Sequence, residues 1–334
     1  MIEQIRYKNF KSLRDATLPL GRFTLIVGAN GTGKTSAINA LNIIIKPTSY
    51  SWKEIVSASN VGKDEPIELE IQTETITHKF VWRVDAEQGQ EVNRPEDFNS
   101  QIRKKSHEIK TENFSDFKVF SFDSDKIAES VSVSPNNELN KNGKGLAGVL
   151  DQLRDSEPER FEELNNELNR WFPEYDRILF EVPSEGKKTF LLRTVLGKYR
   201  IKAEDLSDGT RLALTYLTIS YLPNPPKIVA FEEPERGIHP RLLRNIQEAM
   251  YRLAYPENYG EKREPVQVIA TTHSPYLLDL YKDYPEEVVI AGKDENGVHF
   301  ERLIDKPHYE EVLQDAPLGE IWYSGVLGGV PAQI

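Results

Sequence analysis

The chain contains no cysteine among its 334 residues. That excludes disulfides, thiolate metal sites and a cysteine nucleophile together. Long hydrophobic runs are missing as well: no apolar stretch approaches the roughly 20 residues a membrane-spanning helix needs. The opening Met1-Ile2-Glu3-Gln4-Ile5-Arg6 lacks the apolar centre of a secretory signal, so a soluble, cytoplasmic protein with no membrane partner is expected. Positive charge is in deficit, with 42 Lys and Arg against 53 Asp and Glu and a formal net charge of -11. That balance argues against a surface that coats nucleic acid as a whole. Arg103-Lys104-Lys105 with Lys110 forms a local basic run, read either as a nucleic-acid contact or as a solvated face. No internal repeat is present, and no heptad run is long enough for a coiled-coil arm. The length suits two domains or one elaborated α/β domain.

Against these absences stands one dense motif. Gly28-Ala29-Asn30-Gly31-Thr32-Gly33-Lys34-Thr35 fills G-x-x-x-x-G-K-[ST], the phosphate-cradling P-loop. At average residue usage a chain of this length meets that pattern by chance on the order of once in 100. Phe23-Thr24-Leu25-Ile26-Val27 before it reads as a buried strand, and Ser36 to Ile44 after it carries apolar residues at helical spacing. Strand, glycine-rich loop and helix are the order the chemistry needs. Glycines let the backbone from Asn30 to Ser36 wrap a polyphosphate, Lys34 reaches the outer phosphates, and the Thr35 hydroxyl is the candidate ligand for Mg²⁺. A bound nucleoside triphosphate is expected.

Strands are predicted at Ile2–Tyr7, Ala16–Leu20, Ile67–Thr73, His78–Val84 and Val119–Phe122, the third and fourth as an antiparallel pair. Asp85–Ser115 reads as a polar loop with a helix inside, and Ser130–Lys144 as a surface loop rich in Ser, Asn, Pro and Gly. Helices are predicted at Leu146–Leu153 and Pro158–Trp171, and strands around Arg177–Val182 and Phe190–Val195. The last third alternates again: Lys227–Phe231 strand, Arg241–Leu253 helix, Val266–Ala270 strand, Tyr276–Leu280 helix, Glu287–Ala291 strand. That is the rhythm of a mostly parallel sheet covered by helices.

Ile228 to Phe231 runs into two carboxylates, Glu232 and Glu233. At the end of a parallel strand beside a P-loop, the first supports a metal and the second orients or deprotonates the attacking water. A Glu at the metal-side position is unusual, since Asp is the common residue there. His273 ends the next strand, where a histidine can hydrogen-bond the γ-phosphate and sense its loss. Leu206-Ser207-Asp208-Gly209 precedes an amphipathic helix running from Arg211 toward Tyr221; Ser207 can cap it, and its first turn offers N–H groups to an anion.

The order of Gly28–Thr35, Leu206–Gly209, Phe231-Glu232-Glu233-Pro234-Glu235 and Thr272-His273 resembles the ABC-type ATPase head, nearest the soluble RecF/SMC-like and OLD-like AAA ATPases of DNA repair and phage defence. The opening Ile5 to Leu13 is similar to that family's start, and Gly237-Ile238-His239-Pro240 to its D-loop. The resemblance implies an α/β P-loop fold with a mostly parallel central sheet, an antiparallel β lobe over residues 1–125, an insertion over 126–205, and a lobe of signature, acidic strand and histidine over 206–334. It also implies a Mg²⁺-dependent ATPase that works as a homodimer with ATP sandwiched between protomers. In that arrangement Glu233 is the general base, His273 the γ-phosphate switch, Glu232 the metal-side acid, and Ser207 and Gly209 act on the partner's ATP. Lys11 falls near the adenine or phosphates, and Arg236 at a cross-dimer position. The family's Q-loop glutamine is missing after Val119–Phe122, where Asp123-Ser124 stand.

Three uses of such an engine compete: a switch controlling a separate nuclease or toxin effector, a RecF-like clamp on duplex DNA, and a transporter ATPase. The acidic charge weighs against the clamp and the absence of a coupling segment against the transporter. A fused nuclease is not expected in so short a tail. Ile321-Trp322-Tyr323 and Leu327-Gly328-Gly329 in that tail are apolar enough to dock on a partner or to pack on the chain's own head.

Overall fold

The computed structural model describes residues 1–45, 66–82, 116–132, 134, 137–295 and 297–329. The basic run at Arg103–Lys110 and the Asp85–Ser115 segment lie outside the described residues. In chain order the elements are β1 (Ile2–Phe10), β2 (Leu13–Pro19), β3 (Phe23–Val27), α1 (Lys34–Ile45), β4 (Ile67–Thr73), β5 (Thr77–Trp82), β6 (Phe117–Phe120) and α2 (Ser124–Ala128). There follow β7 (Val131–Ser132), α3 (Leu146–Ser156), α4 (Pro158–Trp171), β8 (Tyr175–Glu181), β9 (Lys187–Thr194), β10 (Arg200–Lys202) and α5 (Asp208–Ser220). The last are β11 (Ile228–Glu232), α6 (Leu243–Ala254), β12 (Gln267–Thr272), α7 (Pro275–Asp279), β13 (Val288–Asp294), β14 (Gly297–Arg302), α8 (Tyr309–Asp315) and α9 (Leu318–Tyr323).

Two compact units share these elements. The first comprises Met1–Val119, Lys227–Ala230 and Gln267–Ile334. It holds an antiparallel sheet in the order β2-β1-β4-β5 and a six-stranded sheet in the order β14-β13-β3-β12-β11-β6. β3 is flanked by two parallel neighbours, β12 and β13. All five residues of β3 and all six of β12 are buried, which is why, Gln267 apart, these strands read as apolar or β-branched runs. β1 instead alternates, sending Ile5, Tyr7 and Phe10 into a core shared with Ala37 and Leu41 of α1. The buried Tyr7 hydroxyl donates to Ala37 O at 3.1 Å, pinning the helix behind the P-loop to the antiparallel sheet. Ile321, Trp322 and Leu327 are buried in this unit, and Gly319 sits against the Pro275 backbone of α7. The apolar tail therefore packs on its own head.

The second unit comprises Phe120–Pro226 and Phe231–Val266. β9 pairs with β8, β10 and β7. α4 begins with Pro158 at its first turn and buries Phe161, Leu164, Leu168 and Trp171 along one face, the periodicity of an amphipathic helix. α5 is buried from Thr210 to Ser220, and its Thr215 and Thr218 hydroxyls donate to Arg211 O and Leu214 O one turn back, so neither of these is stranded. Phe122 meets Tyr216 edge-on and Phe231 meets it at a tilt, at ring separations of 5.0 and 5.2 Å, fixing the strand end that carries Glu232.

Candidate active site

In the first unit, the P-loop joins β3 to α1 and is held from three sides. Gly28 N–H donates to Thr272 O at 3.4 Å, and Ala29 N–H donates to Gly329 O at 2.6 Å. Within the loop, the buried Thr32 hydroxyl donates to Ala29 O at 2.8 Å. The Lys34 ammonium bridges the loop, donating to Gly28 O at 2.6 Å and Ala29 O at 2.9 Å. Gly31 and Gly33 sit at φ +81° and +82°, a region costly for any side chain. Gly33 is required twice over, because a Cβ there would lie 2.9 Å from Leu13 Cδ2. The turn Lys11-Ser12 thus abuts the P-loop, which places the sequence-predicted Lys11 beside it; Lys11 itself adopts φ +49°. Asn30 and Thr35 are exposed and Ser36 is half-buried at the start of α1. The first N–H groups of a helix make no intrahelical bond, so this corner is a ready anion site.

His273 is exposed and leaves β12 level with the P-loop: Thr272 pairs with Val27 in register, so His273 and Gly28 depart together. Ser274 caps the following helix, accepting from Leu277 N–H at 3.4 Å, and its own N–H donates to Thr272 Oγ1 at 2.9 Å. Strand register and this cap fix the backbone on both sides of the histidine.

In the second unit, Ser207 is the N-cap of α5 and accepts from Thr210 N–H at 3.2 Å. Asp208 accepts from the Ser124 hydroxyl at 2.9 Å and pairs with Arg211. The Ser124 hydroxyl, and after it Arg211, hold the Asp208 carboxyl below the usual carboxylate range. Asp123 caps α2 by accepting from Asp125 and Lys126 N–H. The Asp123-Ser124 pair found in place of a Q-loop glutamine is thus tied to the signature loop. Gly209 faces Gly237 O, 3.3 Å from where its Cβ would stand, so the signature loop and the turn after the acidic strand touch.

Glu233 adopts φ +50°, left-handed for a residue with a side chain, and its carbonyl accepts from Arg236 N–H at 2.9 Å. Such a conformation costs of order 1–3 kcal/mol and persists only where its surroundings impose it. Arg236 is exposed on that turn. Glu232 is largely buried; Oε2 meets the Lys141 ammonium at 3.3 Å, and Oε1 is buried with no hydrogen-bond partner. Lys141 escaped the sequence reading because its partner Glu232 lies far along the chain, and the tie from Ser124 to Asp208 escaped for the same reason.

These donors suit a magnesium ion. Glu232 Oε1, a buried carboxylate oxygen without a partner, and the Thr35 hydroxyl, exposed at a helix start, are each hard oxygen donors. Among the described residues no group of three or more His, Asp or Glu is arranged to hold a metal alone. A Mg²⁺ ion held by either donor would draw most of its ligands from phosphate and water, as Mg²⁺ ordinarily does. No helix among the described residues is long and apolar enough to cross a membrane.

Residues 23–279 match the family described as "AAA domain, putative AbiEii toxin, Type IV TA system". A 45-residue segment is 44% identical to an OLD nuclease of Thermus scotoductus (strain ATCC 700910 / SA-01), covering 14% of this chain and 8% of that protein. The chain therefore aligns with only a small part of that relative's length. Among solved structures, an SMC head crystallised with the C-terminal winged-helix domain of ScpA is similar at a TM-score of 0.57 and 15% identity, covering 90% of this chain and 96% of the other. At that identity the likeness speaks for the fold. The SMC head domain from Thermotoga maritima also aligns, at a TM-score of 0.45 and 15% identity over 90% of this chain and 98% of the other.

Proposed function

The chain belongs to this AAA-domain family, and on that premise we propose that it is an ATP-binding, ATP-hydrolysing switch that dimerises around nucleotide and controls a separate effector, a nuclease or toxin. The observation that carries the reading is the P-loop built tightly onto the strand that ends in His273. A site of this kind positions a triphosphate and answers to its terminal phosphate.

In this reading, Lys34 and the loop amides from Asn30 to Ser36 bind the phosphates, with the Lys11 turn beside them. Thr35 and Glu232 hold Mg²⁺, which supplies charge neutralisation at the phosphate oxygens. Glu233 orients the attacking water and takes its proton. His273 donates to the γ-phosphate and loses that partner on hydrolysis. Ser207 and Gly209 close over the ATP of the opposite protomer, so each site is completed by dimerisation. The setting is antiviral defence or DNA repair in the cytoplasm.

Glu233→Gln tests the chemistry. ATP binding is expected to survive, hydrolysis to fall by roughly 10²–10⁴-fold because base and water positioning go together, and a dimer to accumulate in ATP. Normal turnover in that variant would remove Glu233 from its role. For the biological role, copurification of a stoichiometric protein partner is the expected result. Salt-sensitive duplex DNA binding that stimulates hydrolysis would favour the clamp instead.

A further inference from the structure

A lysine that belongs to no motif holds the metal-side carboxylate. Lys141 Nζ lies 3.3 Å from Glu232 Oε2, and the two side chains differ sharply in exposure, 52% for the lysine against 11% for the glutamate. A carboxylate buried to that degree is costly unless its charge is met. The other oxygen, Oε1, is buried with no hydrogen-bond partner. Lys141 thus supplies a counter-charge to Glu232, yet it remains solvated enough to let go at little cost.

The lysine is delivered to this place by its backbone. Ser121 N–H donates to Lys141 O at 2.9 Å and Asp123 N–H to Asn142 O at 3.1 Å, so the segment runs alongside the chain that leaves β6. Asn140 N–H to Lys144 O and Gly143 N–H to Asn140 O, both 2.9 Å, close a tight turn. Gly143 stands at φ +88° with its Cβ position 2.5 Å from Ile127 Cγ1, and Lys144 is tied to Glu129 at 2.7 Å. A loop rich in Asn and Gly is in this way made rigid, with one long flexible cation at its tip. Ser121, Asn140, Asn142 and Lys144 line an open depression beside it, where a released ammonium stays hydrated.

We propose that Lys141 is a positioning residue of the ATPase site: its ammonium holds the Glu232 carboxylate in place and competes with the divalent cation for it. The proposal rests on the reading of Glu232 as the metal-side acid. An ammonium at hydrogen-bond distance takes one lone pair of Oε2 and repels a dication, while Mg²⁺ demands near-ideal oxygen geometry. A cation at the unpartnered Oε1 is therefore opposed for as long as Lys141 stays in place, which couples metal arrival to a side-chain movement in the turn at 140–145.

The test uses the full chain and a fluorescent, non-hydrolysable ATP analogue, with binding followed as free Mg²⁺ is raised. In Lys141→Gln, half-maximal binding is expected at about two- to fivefold lower free Mg²⁺ than in the wild type, the worth of a partly exposed ion pair. Lys141→Arg, which keeps the charge, is expected to behave as wild type. An unchanged or higher Mg²⁺ requirement in Lys141→Gln overturns the proposal, as does an equal shift in Lys141→Arg. Glu232→Gln separates the premise: loss of Mg²⁺ dependence there upholds the metal-side role whatever Lys141 does, and unchanged dependence overturns that role itself.

Discussion

Ser207 does two jobs at one atom group, and the two can be separated. As N-cap it stabilises α5 by about 1 kcal/mol, since its hydroxyl satisfies an otherwise open N–H. As a trans contact it faces a phosphate in the proposed dimer. Aspartate caps as well as serine but brings a negative charge. Ser207→Asp is therefore expected to melt within a degree or two of the wild type and to lose ATPase activity; unimpaired hydrolysis would deny Ser207 a place at the nucleotide. Glu233 shows how far a sequence can be read at this scale. Its position after an apolar strand was legible in Ile228–Phe231, whereas its φ of +50° was not, because no local signal forces a glutamate into the left-handed region. Lys141 was illegible for a different reason: its partner lies far along the chain, and only the folded backbone of β6 and its extension brings them together.

Elements were legible where local chemistry and packing agree. Pro158–Trp171 is a helix over the predicted residues because proline opens it, its apolar residues recur on one face, and Pro173 follows its end. β4 likewise matches Ile67–Thr73, its burial alternating along the strand. α2, one turn long and dependent on the Asp123 cap, has no periodicity to read. β14 is a short edge strand, antiparallel to β13, and escaped because its pattern is broken by half-buried Phe300. Two consequences belong to this scale. Lys126 and Lys144 hold the Glu129 carboxyl down to about 2 from an ordinary 4.5, and these contacts tie α2 to the turn that carries Lys141. A depressed carboxyl adds stability above its unfolded value and loses it as pH falls toward the folded one. The stability gap between wild type and Glu129→Gln, from urea melts, is therefore expected to be full above about pH 4.5 and to shrink below it; a gap that widens in acid would contradict the pairing. Separately, Gly319→Ala would set a Cβ 2.3 Å from Pro275 O, between α9 and α7. Overpacking of that kind costs about 1–3 kcal/mol, and an unchanged urea midpoint would show that the tail does not pack as described.

For the whole molecule, the class of fold followed from the P-loop and the alternation of strand and helix signals, because a parallel sheet needs both. The tail's destination did not, since an apolar face does not say what covers it; Ile321 and Trp322 turn out to lie on the first unit. In the proposed dimer each ATP site is completed by a second copy of the chain. Lys34→Ala and Ser207→Arg are each expected to be inactive, because every site in either homodimer carries one defect. Mixed in equal amounts with free exchange, half of the dimers are heterodimers, each with one intact and one doubly damaged site. Phosphate release by the mixture is then expected at roughly a quarter of the wild-type rate, as for an isologous pair with shared sites. No release above the two single variants, with subunit exchange verified, would contradict it.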